Sequence, residues 1–139
     1  MLQIESINES NYDLALQFIK SVPSITNISN EILNNAVLVN EDGRIVATIA
    51  YEEYDHVGLI RYFVFKKNLS IIVLEQLINK IIENAKAKGL NKLVSIADGD
   101  NVEELFKNLS FFELKKIVYC NEERLSNSFS YSKFLCKNI

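Results

Sequence analysis

The sequence predicts an α/β (α+β) fold, a mixed central sheet flanked by helices, and three observations carry that prediction. Apolar residues switch repeatedly between the period of a strand and the period of a helix along the chain. An Asp-Gly pair at 42–43 and a second short turn at 55–58 string three strands into a meander. The apolar strand LIRYFVF is followed by a long amphipathic segment and then by LVSIA, the order of a parallel crossover. A length of 139 residues, with no linker, repeat or low-complexity run, suits one domain spanning 1–139.

Each element has a local reason. MLQIESI alternates apolar and polar residues and reads as a half-buried strand. NESNYDLALQFIKSVP reads as a helix started by Ser10, whose oxygen can accept a first-turn amide, with Leu14, Phe18, Ile19 and Val22 on its apolar face. Pro23 stops it, lacking an N–H and restricting its predecessor. Residues 28–36 suit a second, shorter helix around Ile32 and Leu33. NAVLVN and RIVATIAYEEY form a hairpin around Asp42-Gly43, because glycine tolerates positive φ. LIRYFVF follows as the third strand, with Arg61 inside an apolar run.

Residues 70–88 form the longest predicted helix. Ile72, Val73, Leu77, Ile81 and Ala85 recur at helical spacing, and Gly89 closes it as a left-handed cap. LVSIA is a short buried strand, VEELFKNL a last helix, and KKIVYC and FSYSKFL the closing strands. The predicted order is β-α-α-β-β-β-α-β-α-β-β.

Composition removes several classes of function. The formal net charge is −3, and lysines occur as the scattered pairs Lys66–Lys67 and Lys115–Lys116 rather than as a basic face, which argues against nucleic acid. One histidine, His56, excludes any multi-histidine metal site. Cys120 and Cys136 lack CxxC spacing and read as free thiols that fill strands. No apolar run is long enough to span a membrane, and the acidic start is unlike a signal peptide, so a cytoplasmic location is expected.

Four stretches resemble the GNAT acetyltransferase family, and the resemblance covers nearly the whole chain. Gly43-Arg-Ile-Val-Ala47 is similar to the family's turn and first central strand. Tyr62-Phe-Val64 resembles the strand ending in "V-x-P". Leu77 to Gly89 matches "L-L-x-x-x-x-x-x-A-x-x-x-G", with Ala85 and Gly89 in register. Phe106-Lys-Asn-Leu-Ser-Phe111 resembles "Y-E-K-L-G-F". The resemblance implies acetyl-CoA as cofactor and acyl transfer to an amine, on a small molecule or a protein. It also implies that the backbone around Phe63, Val64 and Phe65 holds pantetheine. A loop of the form V-x-P-x-x-Q/R-x-x-G-x-G/A would present helix N-terminal amides to the pyrophosphate.

The chain departs from that pattern where the chemistry sits. Counting back from Gly89 keeps Val64 as the valine and puts Lys66 at the proline and Leu69 at the Gln or Arg. Ile72 then stands at the first glycine and Leu74 at the Gly or Ala, so the loop and helix start comprise Leu69, Ser70, Ile71, Ile72, Val73 and Leu74. Lys66, Lys67, Asn68 and Ser70 could still supply charge and donors. Phe106 replaces a phenol that in many relatives protonates the leaving thiolate. Ser110 replaces a glycine, and the family's asparagine aligns with Gly99, with Asn101 and Asp98 close by.

Two functional readings follow: a divergent acyl-CoA-dependent N-acetyltransferase, or a non-catalytic GNAT-fold binding or dimerisation module that has lost CoA. A site for some other small ligand is a third. Ile71 to Leu74 read either as a helix start buried under a loop, or as a plugged cleft, an apolar pocket or a self-association surface in a homodimer. Glu52 and Glu53 read as an exposed acidic pair or as a general base. Arg61 needs a partner if buried, His56 reads as a solvated turn residue, Tyr119 is a conceivable replacement phenol, and Phe63, Phe65, Phe111 and Phe112 read as core.

Overall fold

The computed structural model describes residues 1–66, 68–96, 100–114 and 134–139, without the side chains of 100–102 and 114. The elements are β1 (Leu2–Ser6), α1 (Tyr12–Lys20), α2 (Asn30–Leu33), β2 (Val37–Glu41), β3 (Arg44–Tyr54), β4 (Val57–Phe65), α3 (Ile71–Ala87), β5 (Lys92–Ile96), α4 (Asp100–Asn108), β6 (Phe112–Leu114) and β7 (Phe134–Asn138). Their sequence is the predicted one. The strand order is β1-β2-β3-β4-β5-β7-β6. Pairing is antiparallel for β1–β2, β2–β3, β5–β7 and β6–β7, and parallel for β4–β5, the crossover bridged by α3.

The chain divides into two compact units, Met1–Glu52 with Arg61–Asn84, and Glu53–Ile60 with Ala85–Ile139. The first holds a core of Ala15, Ile19, Ile32, Leu33, Ala36, Leu38, Ile45, Ala50 and Tyr62. Asp42 (φ 51) and Gly43 (φ 90) both take positive φ in its β2–β3 turn, the backbone of a type I′ hairpin. The Gly43 N–H donates to Asn40 Oδ1 at 2.8 Å, which closes the turn.

The start of α1 differs from expectation. Ser10 does not cap it, and the residue at the cap position, Asn11, makes no side-chain cap bond; Asn8 instead closes the preceding turn, its Oδ1 accepting from the N–H of Ser10 (2.8 Å) and of Asn11 (3.2 Å). Asn11 returns the bond, accepting from the Asn8 N–H at 2.7 Å, and its amide donates to Glu5 Oε2 and the Ser6 carbonyl. This reciprocal pair ties β1 to α1 and satisfies a nearly buried asparagine. The inner face of α1 is Ala15 and Ile19, whereas Leu14 is exposed.

The second unit centres on Val57, Leu59, Val94, Phe134 and Cys136. The parallel register covers only Val57↔Lys92, Gly58↔Leu93 and Leu59↔Val94, so β4 from Ile60 onward lies outside it. Gly89 caps α3 at φ 87, as predicted. Ser110 takes φ 70 after α4, which explains why a glycine suits that position in the motif it resembles. A short strand at Phe112–Leu114 lies upstream of the predicted KKIVYC, which itself lies outside the described residues. The strand Phe134–Asn138 takes in the last two residues of FSYSKFL, the rest of which lies outside the described residues. Phe112 is exposed on β6 rather than buried, while Phe111 is core.

Candidate functional site

The candidate site is built from Arg61–Phe65 of β4, the loop residues Lys66 and Asn68–Ser70 and the first turn of α3, all within the first unit. Tyr62 is the unusual residue. It sits mid-strand at φ 52, a left-handed conformation that costs an L-residue about 1–2 kcal/mol. Such conformations persist where surrounding contacts over-determine them. The hydroxyl of Thr48, a wholly buried residue on β3, donates to the Tyr62 carbonyl at 2.8 Å. The Tyr62 ring enters the core, and its hydroxyl accepts from the Ser29 N–H at 2.8 Å and donates to the Asn27 carbonyl at 3.4 Å. Beyond it, Phe63, Val64 and Phe65 are half-buried, with the two phenylalanine rings 5.1 Å apart and tilted.

After β4 the Lys66 N–H donates to the Val46 carbonyl and the Leu69 N–H to the Lys66 carbonyl, folding the loop into a turn. Ser70 caps α3: its Oγ accepts from the Val73 N–H at 3.3 Å, and its carbonyl accepts from the Leu74 N–H at 3.2 Å. Helix geometry leaves the Ile71 and Ile72 amides without intrahelical acceptors. A pocket of about 260 Å³ opens beside this turn, lined by Leu2, Glu41, Val46, Lys66, Asn68, Leu69 and Ser70.

The side chains of α3 overturn one reading. Ile71 and Ile72 are 54% and 65% exposed, so this helix start is not buried under a loop. The buried face is Leu74, Leu77, Ile78, Ile81 and Ala85, not the predicted stripe through Ile72 and Val73. The helical period accounts for Ile72, which falls on the side of the cylinder opposite Leu74, Leu77 and Ile81. Ile71 lies seven residues before Ile78, near the buried side, and its exposure comes with its place as the first residue of α3. Val73 is half-buried.

Arg61 finds the partner its setting required. Its Nη1 lies 2.6 Å from Glu52 Oε1, both side chains about one-third exposed, and the guanidinium stands 5.8 Å from the Tyr62 ring centroid. Glu52 is therefore engaged as an ion partner. Glu53 and His56 are exposed, and the His56 carbonyl accepts from the Asn91 N–H at 2.8 Å. Phe106 is fully buried, its ring 4.9 Å from Phe111 in an edge-on arrangement. Asn101 lies in α4 with its side chain outside the described residues, as are Lys67, Asp98, Gly99, Tyr119 and Cys120 altogether. Cys136 is buried on β7 as strand filler.

The sequence reading singled out the loop, the helix start and the strand at Phe63–Phe65; of these residues, Leu69 and Ser70 line the pocket, together with Lys66 and Asn68. It missed the part played by Tyr62 and Thr48. A left-handed tyrosine inside a strand has no sequence signature; the one trace is a threonine in an otherwise apolar buried run on β3.

No family model matches the sequence, and no curated protein matches it. Solved structures do. The chain is similar to N-acetylglutamate synthase from Neisseria gonorrhoeae, crystallised with coenzyme A and N-acetyl-glutamate, at TM-score 0.72 and 15% identity, covering 99% of this chain and 35% of that one. The chain thus spans about a third of that synthase. A GNAT-family acetyltransferase from Staphylococcus aureus Mu50 matches at TM-score 0.68 and 20% identity, over 99% of both chains. Rv2747 from Mycobacterium tuberculosis, crystallised with CoA, matches at TM-score 0.72 and 12% identity, again over 99% of both. The chain has the GNAT acetyltransferase fold.

Proposed function

We propose that this chain is a divergent N-acyltransferase of the GNAT type, using acyl-CoA as donor and an amine as acceptor. The observation that carries the reading is the start of α3: a capped helix whose Ile71 and Ile72 amides remain without intrahelical acceptors, with Lys66, Asn68 and Ser70 beside it. That donor set offers a pyrophosphate one cationic and several neutral donors, set against the Glu41 carboxylate that lines the same pocket. The two bulky replacements do not abolish the fit, because Leu74 is drawn into the core and Ile72 turns outward. The side-chain donor that Leu69 has displaced is the real loss.

In this reading the Ile71 and Ile72 amides and the Lys66 ammonium hold the phosphates, and the backbone of Phe63–Phe65 aligns the carrier's amide arm. Bound acyl-CoA supplies an acyl group activated as a thioester. The chain's own contribution is positioning, which by itself is worth about 7–11 kcal/mol of barrier in well-oriented reactions. Phe106 has no proton to give. Glu52, held by Arg61, is charge partner rather than base.

The test is acyl transfer to a panel of small and peptide amines, read as thiol release from acetyl-CoA and as product mass. Turnover with at least one amine, and tighter CoA binding in Leu69→Gln/Ile72→Gly, are expected; no gain in that variant would count against the reading. A second reading rests on the exposure of Ile71 and Ile72: a GNAT-fold module without CoA that pairs through this apolar turn with a second copy. Sedimentation separates the two, since an Ile71→Ser/Ile72→Ser variant would dissociate such a pair.

A further inference from the structure

The three hydrogen bonds of Tyr62 reach two places that the proposed reaction must bring into register. Its hydroxyl grips the connection between α1 and α2, at the Asn27 carbonyl and the Ser29 N–H. Ser29 is itself the cap of α2, its Oγ accepting from the Ile32 N–H. The same connection forms a wall of a second pocket, of about 490 Å³, lined by Leu16, Lys20, Ile25, Thr26, Ile28 and Asn30. At the other end, the Tyr62 carbonyl is held by Thr48, and the chain runs directly into Phe63–Phe65.

We propose that Tyr62 is a positioning residue that couples the wall of this second pocket to the backbone of Phe63–Phe65, so that order in one sets order in the other. The physical warrant is the strain. A tyrosine at φ 52 relaxes toward the ordinary strand region unless both its ends are held. Releasing the hydroxyl removes the force that opposes relaxation, and relaxation of φ at 62 rotates the peptide that leads into Phe63. Releasing the carbonyl from Thr48 does the same from the other side and slackens the ring's hold on Ser29. The functional meaning, that an occupied acceptor pocket tightens the strand aligning the donor, rests on the acyltransferase reading above. The coupling itself does not.

The experiment is amide hydrogen exchange on the full chain, in wild type, Tyr62→Phe, Thr48→Val and Asn84→Ala. Asn84→Ala is the structural control, because the Asn84 amide donates to Ser6 Oγ at 2.9 Å, away from the bonds of Tyr62 and from the residues that line the second pocket. Tyr62→Phe is expected to speed exchange at Phe63–Lys66 as well as at Ser29, each by about fivefold, the equivalent of one lost hydrogen bond. Thr48→Val is expected to do the same at Ser29, the distal end. Asn84→Ala is expected to leave Phe63–Lys66 unchanged. Effects confined to the mutated end, or the same change at Phe63–Lys66 in Asn84→Ala, would overturn the proposal; should Tyr62→Phe fail to fold, Thr48→Val decides alone. Acetyl-CoA titration of the same proteins separates the two ideas: coupled exchange in a wild type that binds no CoA would retain the clamp and remove the acyltransferase reading.

Discussion

The start of α3 and the end of α4 both depart from the letters of the motifs they resemble, and they absorb the departure in opposite ways. At α4, Phe106 stands where a phenol would be and is taken wholly into the core, its ring set against Phe111. At α3, Ile72 stands where a glycine would be and is turned out to solvent at 65% exposure. The first change removes a proton donor and strengthens packing. The second adds an exposed apolar side chain beside amides that keep their electrostatic character. A substitution at a motif position therefore says little until its side chain has been placed.

Mutations can break this contrast in order of size. Phe106→Ala is expected to cost about 3–5 kcal/mol, measured by chemical denaturation, because it empties a fully buried site. Leu74→Ala, on the buried side of α3, is expected to cost about 2–5 kcal/mol. Ser110→Gly is expected to stabilise by about 1 kcal/mol, since glycine at φ 70 avoids the side-chain penalty that serine bears. Ile72→Ser is expected to change stability by less than about 0.5 kcal/mol, as surface substitutions do. A loss at Ile72 comparable with that at Leu74 would mean that the exposed turn has a packing partner in solution. Phe106→Tyr sharpens the chemical side: burial of an added hydroxyl is expected to destabilise, with no gain in thiol release.

The element order was legible because hydrophobic period and turn chemistry act locally. Asp42-Gly43 specifies its hairpin through φ alone, and Gly89 ends α3 for the same reason. What escaped was set by partners distant in sequence. Asn8 and Asn11 rather than Ser10 organise the turn into α1, because Asn11 returns the hydrogen bond of Asn8 and reaches Glu5 and Ser6. Ile72 was placed on the apolar stripe because four consecutive apolar residues fit more than one helical phase, and only Leu77, Ile78 and Ile81 in the packed core choose among them. Within the candidate site, the loop and strand were visible as a resemblance. The strained Tyr62 and its anchors at Thr48, Asn27 and Ser29 were not, since each bond joins residues at least 14 apart.

The central claim is that the first turn of α3 still accepts the phosphates of an acyl carrier. Calorimetric titration of acetyl-CoA and of CoA into the wild-type chain, at moderate salt, tests it most directly. The account predicts micromolar binding that weakens on Lys66→Ala and with rising salt, and that strengthens on Leu69→Gln/Ile72→Gly. No heat of binding at millimolar CoA, in the wild type and in that restored variant alike, would contradict it.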